Sequence, residues 1–212
     1  MDTDDALAHQ LARNVDAAFP ALVEAHSDRL FTIALRLLGD RRDAEEVAQD
    51  ALVRAFRAMH DYPRERIASL RLRPWLASIA VNLARNRRRR HDDRQPPGSL
   101  EPMLDAGFDP PSDRRAAPSV SADRRETQRE LAAALLRLTP VVRSAIVLRH
   151  VDGLSISEVA EALGRPEGTV KAQVHRGLRE LRVILEATPD AIAPVSAAPP
   201  APRPLTALEA VR

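Results

Sequence analysis

The chain contains no cysteine, which excludes disulfide bonds, thiolate-ligated zinc, iron-sulfur clusters and a cysteine nucleophile. Aromatic residues are scarce at 3%, with one Trp, one Tyr and four Phe, too few for one large aromatic-rich β-sandwich or barrel. Lysine is all but missing: Lys171 is the only one. With Ala and Pro abundant, the arginine bias fits a GC-rich coding sequence, so the positions of the arginines, rather than their number, carry the information. No run approaches the roughly 20 apolar residues of a membrane span, and no membrane partner is expected. The amino terminus, MDTDDALAHQ, is acidic and lacks the basic-then-apolar order of a secretory signal. The expected location is the cytoplasm.

What is present is 212 residues with 44% hydrophobic side chains and 17 prolines, enough for packed cores but favouring small helical units over one large domain. Net charge is only +2, so the molecule as a whole is not a polycation that coats nucleic acid. The charge is uneven. Between Arg85 and Arg94 six arginines face two aspartates, between Arg165 and Arg182 five positive residues face two glutamates, and between Asp40 and Asp50 five acids face two arginines. Two basic sites and one acidic site result.

Proline marks the divisions. The stretch from His91 to Arg125 carries six prolines and no sustained apolar period, and reads as a flexible linker over residues 91–125. From about residue 188 the sequence ATPDAIAPVSAAPPAPRPL can build neither a long helix nor a core, so residues 188–212 are expected to be a disordered tail. Two helical blocks remain, residues 10–90 and 126–187.

In the first block, Leu22, His26, Leu30, Ile33 and Leu37 recur at helical spacing and Gly39 supplies a stop. Asp40 can cap a second helix with the stripe Ala44, Val47, Ala48, Ala51 and Ala55. After the loop DYPRERIASLRLRP, Pro74 suits the opening of a third helix from Trp75 to about Arg90. Its apolar side is Leu76, Ile79, Ala80 and Leu83. Its other side lines up Ser78, Asn82, Arg85 and Arg89, a polar and increasingly basic stripe suited to phosphates and base edges.

The second block is more specific. Two helices meet near Thr139 and Pro140, and Asp152 with Gly153 ends the second. In SISEVAEALGRPEGTVKAQVHRGLRELRVIL, Ser155 and Glu158 have capping-box spacing and Gly164 closes a short helix. The helix after it should bury Val170, Val174, Leu178 and Leu181 and present Lys171, His175, Arg176, Arg179 and Arg182. Short helix, tight glycine turn and basic helix make a helix-turn-helix, which enters the major groove. His175 has no Cys and no nearby second His, so no metal site is expected.

Together these motifs resemble a bacterial sigma factor of the extracytoplasmic-function group, the smallest members of the sigma-70 family. DRRDAEEVAQDALVRAFRA is similar to region 2.2, PWLASIAVNLARNRRRR to regions 2.3 and 2.4, and residues 126–187 to region 4, ending in GTVKAQVHRG. The resemblance implies an all-α fold in which a region 2 bundle and a region 4 helix-turn-helix are joined by the flexible linker. It implies core RNA polymerase as partner, through the β′ clamp and β, with Asp43, Glu46, Gln49 and Asp50 as clamp contacts. It implies promoter DNA as ligand, with Ser78, Asn82, Arg85 and Arg89 facing the minus-ten element. Lys171, Gln173, His175, Arg176 and Arg179 would face the minus-thirty-five element. The loop from Asp61 to Arg73, with the start of the following helix, corresponds to the element that captures a flipped minus-ten base; Trp75 could serve as a stacking platform there, but its place beside Leu76 and Ile79 makes a core role the expectation.

Two departures from the family pattern stand out. Asn86 occupies a position where many relatives carry an aspartate, and KAQ replaces the common KSR, which removes an arginine at Gln173. An anti-sigma protein is a further implied partner. No cofactor is expected, and no nucleophile, acid-base pair or phosphate loop points to an enzyme. The alternative function is a dimeric helix-turn-helix regulator acting without polymerase, which would not need the region 2 motifs.

Overall fold

The computed structural model of the chain describes residues 3–94 and 118–187. The order is α1 Thr3–Arg13, α2 Val15–Leu38, α3 Arg41–Asp61, α4 Arg64–Ala68 and α5 Leu72–Arg94, then α6 Pro118–Arg137, α7 Pro140–Ile146, α8 Ile156–Leu163 and α9 Glu167–Glu186. Among the described residues there is no strand.

Local chemistry sets the boundaries. Asn14 accepts the Ala17 N–H at 3.1 Å and opens α2, and Gly39 closes it at φ +80°, a left-handed value that costs other residues more. Asp40 accepts the Asp43 N–H at 2.7 Å and opens α3. Leu22, Leu30, Ile33, Met59, Leu72 and Leu76 are fully buried in the first half, and Leu135, Leu148, Leu154 and Val159 in the second. The buried apolar residues form a cluster that runs through both halves, because α2 packs against α6 and α7 and α5 packs against α8.

Several elements differ from the sequence expectation. A short helix, α4, interrupts the stretch read as a loop. Helix α5 starts at Leu72, and Pro74 sits within its first turn, where its missing N–H has no partner to lose. Helix α6 starts at Pro118 and α5 runs to Arg94, so helix enters both ends of the segment read as linker. Residues 95–117 and the tail from 188 lie outside the described residues. Helix α7 continues as a π-helical turn, Val147–Val151, in which the Asp152 N–H reaches back to the Val147 carbonyl at 2.9 Å.

The buried face of α9 also departs from expectation. It runs through Val170, Val174, Gly177 and Leu181, while Leu178, expected inside, is 43% exposed. The reason is the crossing with α7. A Cβ on Gly177 would stand 2.6 Å from Ile146 Cγ1 and 2.7 Å from Val142 Cγ1, so the helices approach where there is no side chain, which turns Leu178 outward.

Candidate nucleic-acid interface

Helix α5 leaves Asn82, Arg85 and Arg89 exposed, while Ser78 is half-buried and donates its hydroxyl to the Trp75 carbonyl at 2.7 Å. This orientation is fixed from behind. Arg87 donates to Asp43 from Nε at 2.9 Å and from Nη2 at 2.6 Å, and its Nη1 lies 2.5 Å from Glu46. His91 Nε2 stands 3.0 Å from the other Asp43 oxygen. The hydrogen bond from Arg87 holds the Glu46 carboxyl below its ordinary pKa, and the two carboxylates raise that of the guanidinium.

Of the residues expected on the polymerase face, Asp43 is therefore inside, 8% exposed and committed to α5. Glu46 is half-exposed, and Gln49 and Asp50 are open to solvent. Sequence spacing could not separate them, since all four sit within two turns of α3; what buries Asp43 is the arrival of α5.

The segment before α5 carries its own cations. Arg66 lies over the Tyr62 ring at 3.7 Å, and Tyr62 meets Trp75 at 6.2 Å between ring centres. Trp75 is half-buried against the core. Arg71 and Arg73 turn towards the second half, which the sequence did not suggest. Arg71 pairs with Glu158 at 3.0 Å and Glu161 at 2.9 Å, and Arg73 donates to the Asp152 carbonyl oxygen at 2.6 Å. Arg29 of α2 pairs with the Asp152 carboxylate at 2.5 Å and donates to the Arg73 carbonyl at 3.1 Å.

In the second half the capping box forms: Ser155 accepts the Glu158 N–H, and the Glu158 carboxylate accepts the Ser155 N–H at 2.8 Å. Those bonds, with Arg71 nearby, outweigh desolvation and hold the Glu158 pKa down. Gly164 takes φ +60°, and α9 follows. Lys171, His175, Arg176 and Arg179 are exposed, and Gln173 is half-buried. Arg176 pairs with Glu180 at 2.6 Å on the same helix, an exposed contact of small worth that a phosphate can replace.

Arg143 is a functional-looking residue that serves the fold. It is 2% exposed and donates to the carbonyls of Leu135, Leu136, Leu138 and, across the two halves, Leu37. It thus gathers the unpaired carbonyls at the ends of α6 and α2. Burial pushes its pKa down to about 10, which leaves it charged at neutral pH. An arginine inside the apolar run VVRSAIVL was the only signal in the sequence. His26 is also buried, 3.4 Å from Asp4, and burial lowers its pKa against the pull of that carboxylate.

Residues 22–94 match the family description Sigma-70 region 2, and residues 128–181 match Sigma-70, region 4. The chain is 31% identical over 182 residues to the ECF RNA polymerase sigma factor SigW of Bacillus subtilis, covering 82% of this chain and 91% of that protein. It is 32% identical over 169 residues to SigE of Mycolicibacterium smegmatis, an ECF RNA polymerase sigma factor of which it spans 62% of the length, with 78% of this chain covered. Among solved structures it is similar to CnrH in complex with the cytosolic domain of CnrY, with a TM-score of 0.62 and 25% identity over 88% of this chain and 99% of that one. The sigma factor RpoE in complex with the anti-sigma factor NepR from Bartonella quintana shares the fold, with a TM-score of 0.60 and 21% identity over 80% of this chain and 98% of that one. No described helix is long and apolar enough to cross a membrane.

Proposed function

The chain belongs to the sigma-70 family, in its extracytoplasmic-function group, and from that premise we propose that it binds core RNA polymerase and directs initiation at promoters it selects through two DNA elements. The observation that carries this reading is the pairing of two outward basic faces in one chain. One is Asn82, Arg85 and Arg89 on α5, held outward by the Arg87 pairs. The other is Lys171, His175, Arg176 and Arg179 on α9, with Gln173 beside them.

On this reading α9 enters the major groove at the minus-thirty-five element, with arginines on phosphates and Lys171 and Gln173 near base edges. Helix α5 meets the minus-ten element, with Ser78 contributing once its bond to Trp75 is exchanged. Melting follows from trapping: unstacking a base costs a few kcal/mol, and a protein that holds the extruded base shifts the equilibrium towards open DNA. Tyr62 and Arg66, stacked on each other beside α5, are the groups suited to hold it.

Glu46, Gln49 and Asp50 form the proposed contact with the β′ clamp, and Asp43 supports them from inside. The chain then supplies specificity and the polymerase supplies catalysis. The CnrH and RpoE structures each contain a second protein, CnrY or the anti-sigma factor NepR, and a protein of that kind is the proposed regulatory partner here.

The test is transcription by purified core polymerase with and without the full chain, with transcript starts mapped. New starts sharing upstream elements are expected. Folded protein that neither associates with core polymerase nor creates new starts would overturn the reading in favour of the dimeric regulator.

A further inference from the structure

Helix α1 precedes residues 22–94, which match region 2, yet it is built into the same core. Asp4, Leu7, Ala8 and Leu11 share one face at helical spacing, and the three apolar residues of that face are buried. The helix is pinned to α2 at both ends. Only Asn14 separates the two helices; its N–H donates to the Gln10 carbonyl of α1 at 3.1 Å, and its side chain accepts from Ala17 of α2. At the other end Asp4 stands 3.4 Å from His26 of α2, whose neighbours Leu22 and Leu30 are fully buried.

What α1 supports is α4. Among the described helices α1 is the one that α4 packs against, and the others touch it at most marginally. Helix α4 has five residues, no side-chain bond at its opening residue Pro63, and Ile67 as its one buried side chain. A helix of little more than one turn does not hold itself together in water. The hydrogen bonds at its ends stay local: Arg66 and Ile67 donate to the Pro63 carbonyl, Ser69 to that of Glu65 and Leu70 to that of Ile67. Apolar packing therefore sets where α4 sits, and α1 supplies the opposing face.

The other side of α4 carries Arg66, whose guanidinium covers the Tyr62 ring at 3.7 Å. Tyr62 in turn meets Trp75 of α5. Groups that receive an extruded base bind it best when they are already in place, because the cost of ordering them otherwise subtracts from the affinity. We propose that α1 is the positioning element for base capture: braced on α2 at Asn14 and Asp4, it holds α4 and so presets the Tyr62–Arg66 stack for a base drawn from the minus-ten element. Leu7, Ala8 and Leu11 act through α4 and touch no DNA. This rests on the sigma-factor reading for the identity of the base, but the bracing of α4 does not.

Tyr62 is the only tyrosine, so fluorotyrosine incorporated into the full chain gives a single fluorine resonance at the stack. Two variants loosen α1. Leu11→Ala acts from inside, and Asp4→Ala acts at a side chain that is 22% exposed and leaves the apolar face whole. Both should move the resonance towards the position it takes in Arg66→Ala, with helical content by circular dichroism retained. An unmoved resonance in folded Leu11→Ala would overturn the bracing. Should that variant unfold, Asp4→Ala decides by the same reading.

Initiation by core polymerase reads the role itself, at a mapped start whose minus-ten element is either paired or held open by mismatches. Tyr62→Ala and the folded α1 variant should each lower initiation on the paired template by about tenfold, the scale of one base–aromatic stack. The loss should be clearly smaller on the open template, where no pairing opposes capture. Because α1 acts through the stack, the double variant should be no worse than Tyr62→Ala alone. Losses that multiply, or that are equal on both templates, would overturn the positioning role and leave α1 a stabilising helix only. A wild-type chain that creates no start would instead count against the sigma reading, and the Tyr62 resonance still decides the bracing.

Discussion

Gly177 shows how much one missing methyl group decides. It has helical backbone angles, so neither a turn nor a positive φ requires glycine there; the requirement comes from Ile146 and Val142 on α7. Gly177→Ala gains helix propensity of about 1 kcal/mol but forces two β-branched side chains to move, at a cost of about 1–3 kcal/mol. The expected net is a loss of stability, read by urea denaturation, together with weaker binding to a minus-thirty-five duplex because α9 is tilted away from α7. The sequence placed the basic face of this helix correctly at Lys171, His175, Arg176 and Arg179, since solvent-facing charge follows from periodicity alone. It misplaced Leu178, because the depth of a helix crossing depends on a partner more than 30 positions away.

Among the elements, α8 was the most legible. Ser155, Glu158 and Gly164 are cap chemistry acting over three to four residues, and all three perform as their spacing implies. The relation between α3 and α5 was not legible, because Asp43 and Arg87 are 44 residues apart and each looks like ordinary surface charge. Their pairing makes Asp43 a positioning residue for α5, the helix proposed to meet the minus-ten element. Asp43→Asn is expected to cost about 2 kcal/mol of stability through the lost charged hydrogen bonds. It should weaken minus-ten binding while leaving affinity for core polymerase near wild type. The reverse pattern in a pull-down and a DNA titration would return Asp43 to the polymerase face.

For the molecule as a whole, the reach between regions is set by chain length. Helices α5 and α6 end the described parts at Arg94 and Pro118, so residues 95–117 must bridge any separation, and a chain of that length extends to about 80 Å at most. That suffices for two elements a few helical turns apart, since each domain adds its own width. Deleting about half of the segment cuts the reach to roughly 40 Å. Such a variant is expected to keep binding core polymerase and an isolated minus-ten strand but to lose initiation at promoters carrying both elements at natural spacing, read by run-off transcription. Recovery on a template with the elements moved closer would confirm that reach is the cause.

The sequence by itself determined the helical class, the division into two blocks, the caps at Asp40 and Ser155, the glycine stops and the outward basic stripes. These follow from interactions between residues near each other in the chain, whose geometry the helix period already fixes. Only the tertiary structure decided that Asp43 is internal, that Gly177 rather than Leu178 faces α7, that Arg143 joins the ends of α2 and α6, and that Arg29 and Arg71 meet carboxylates of the second half while Arg73 meets the Asp152 carbonyl. Each of those depends on which surfaces come together, and a charged side chain carries the same local signature whether it faces water or a partner across a buried contact.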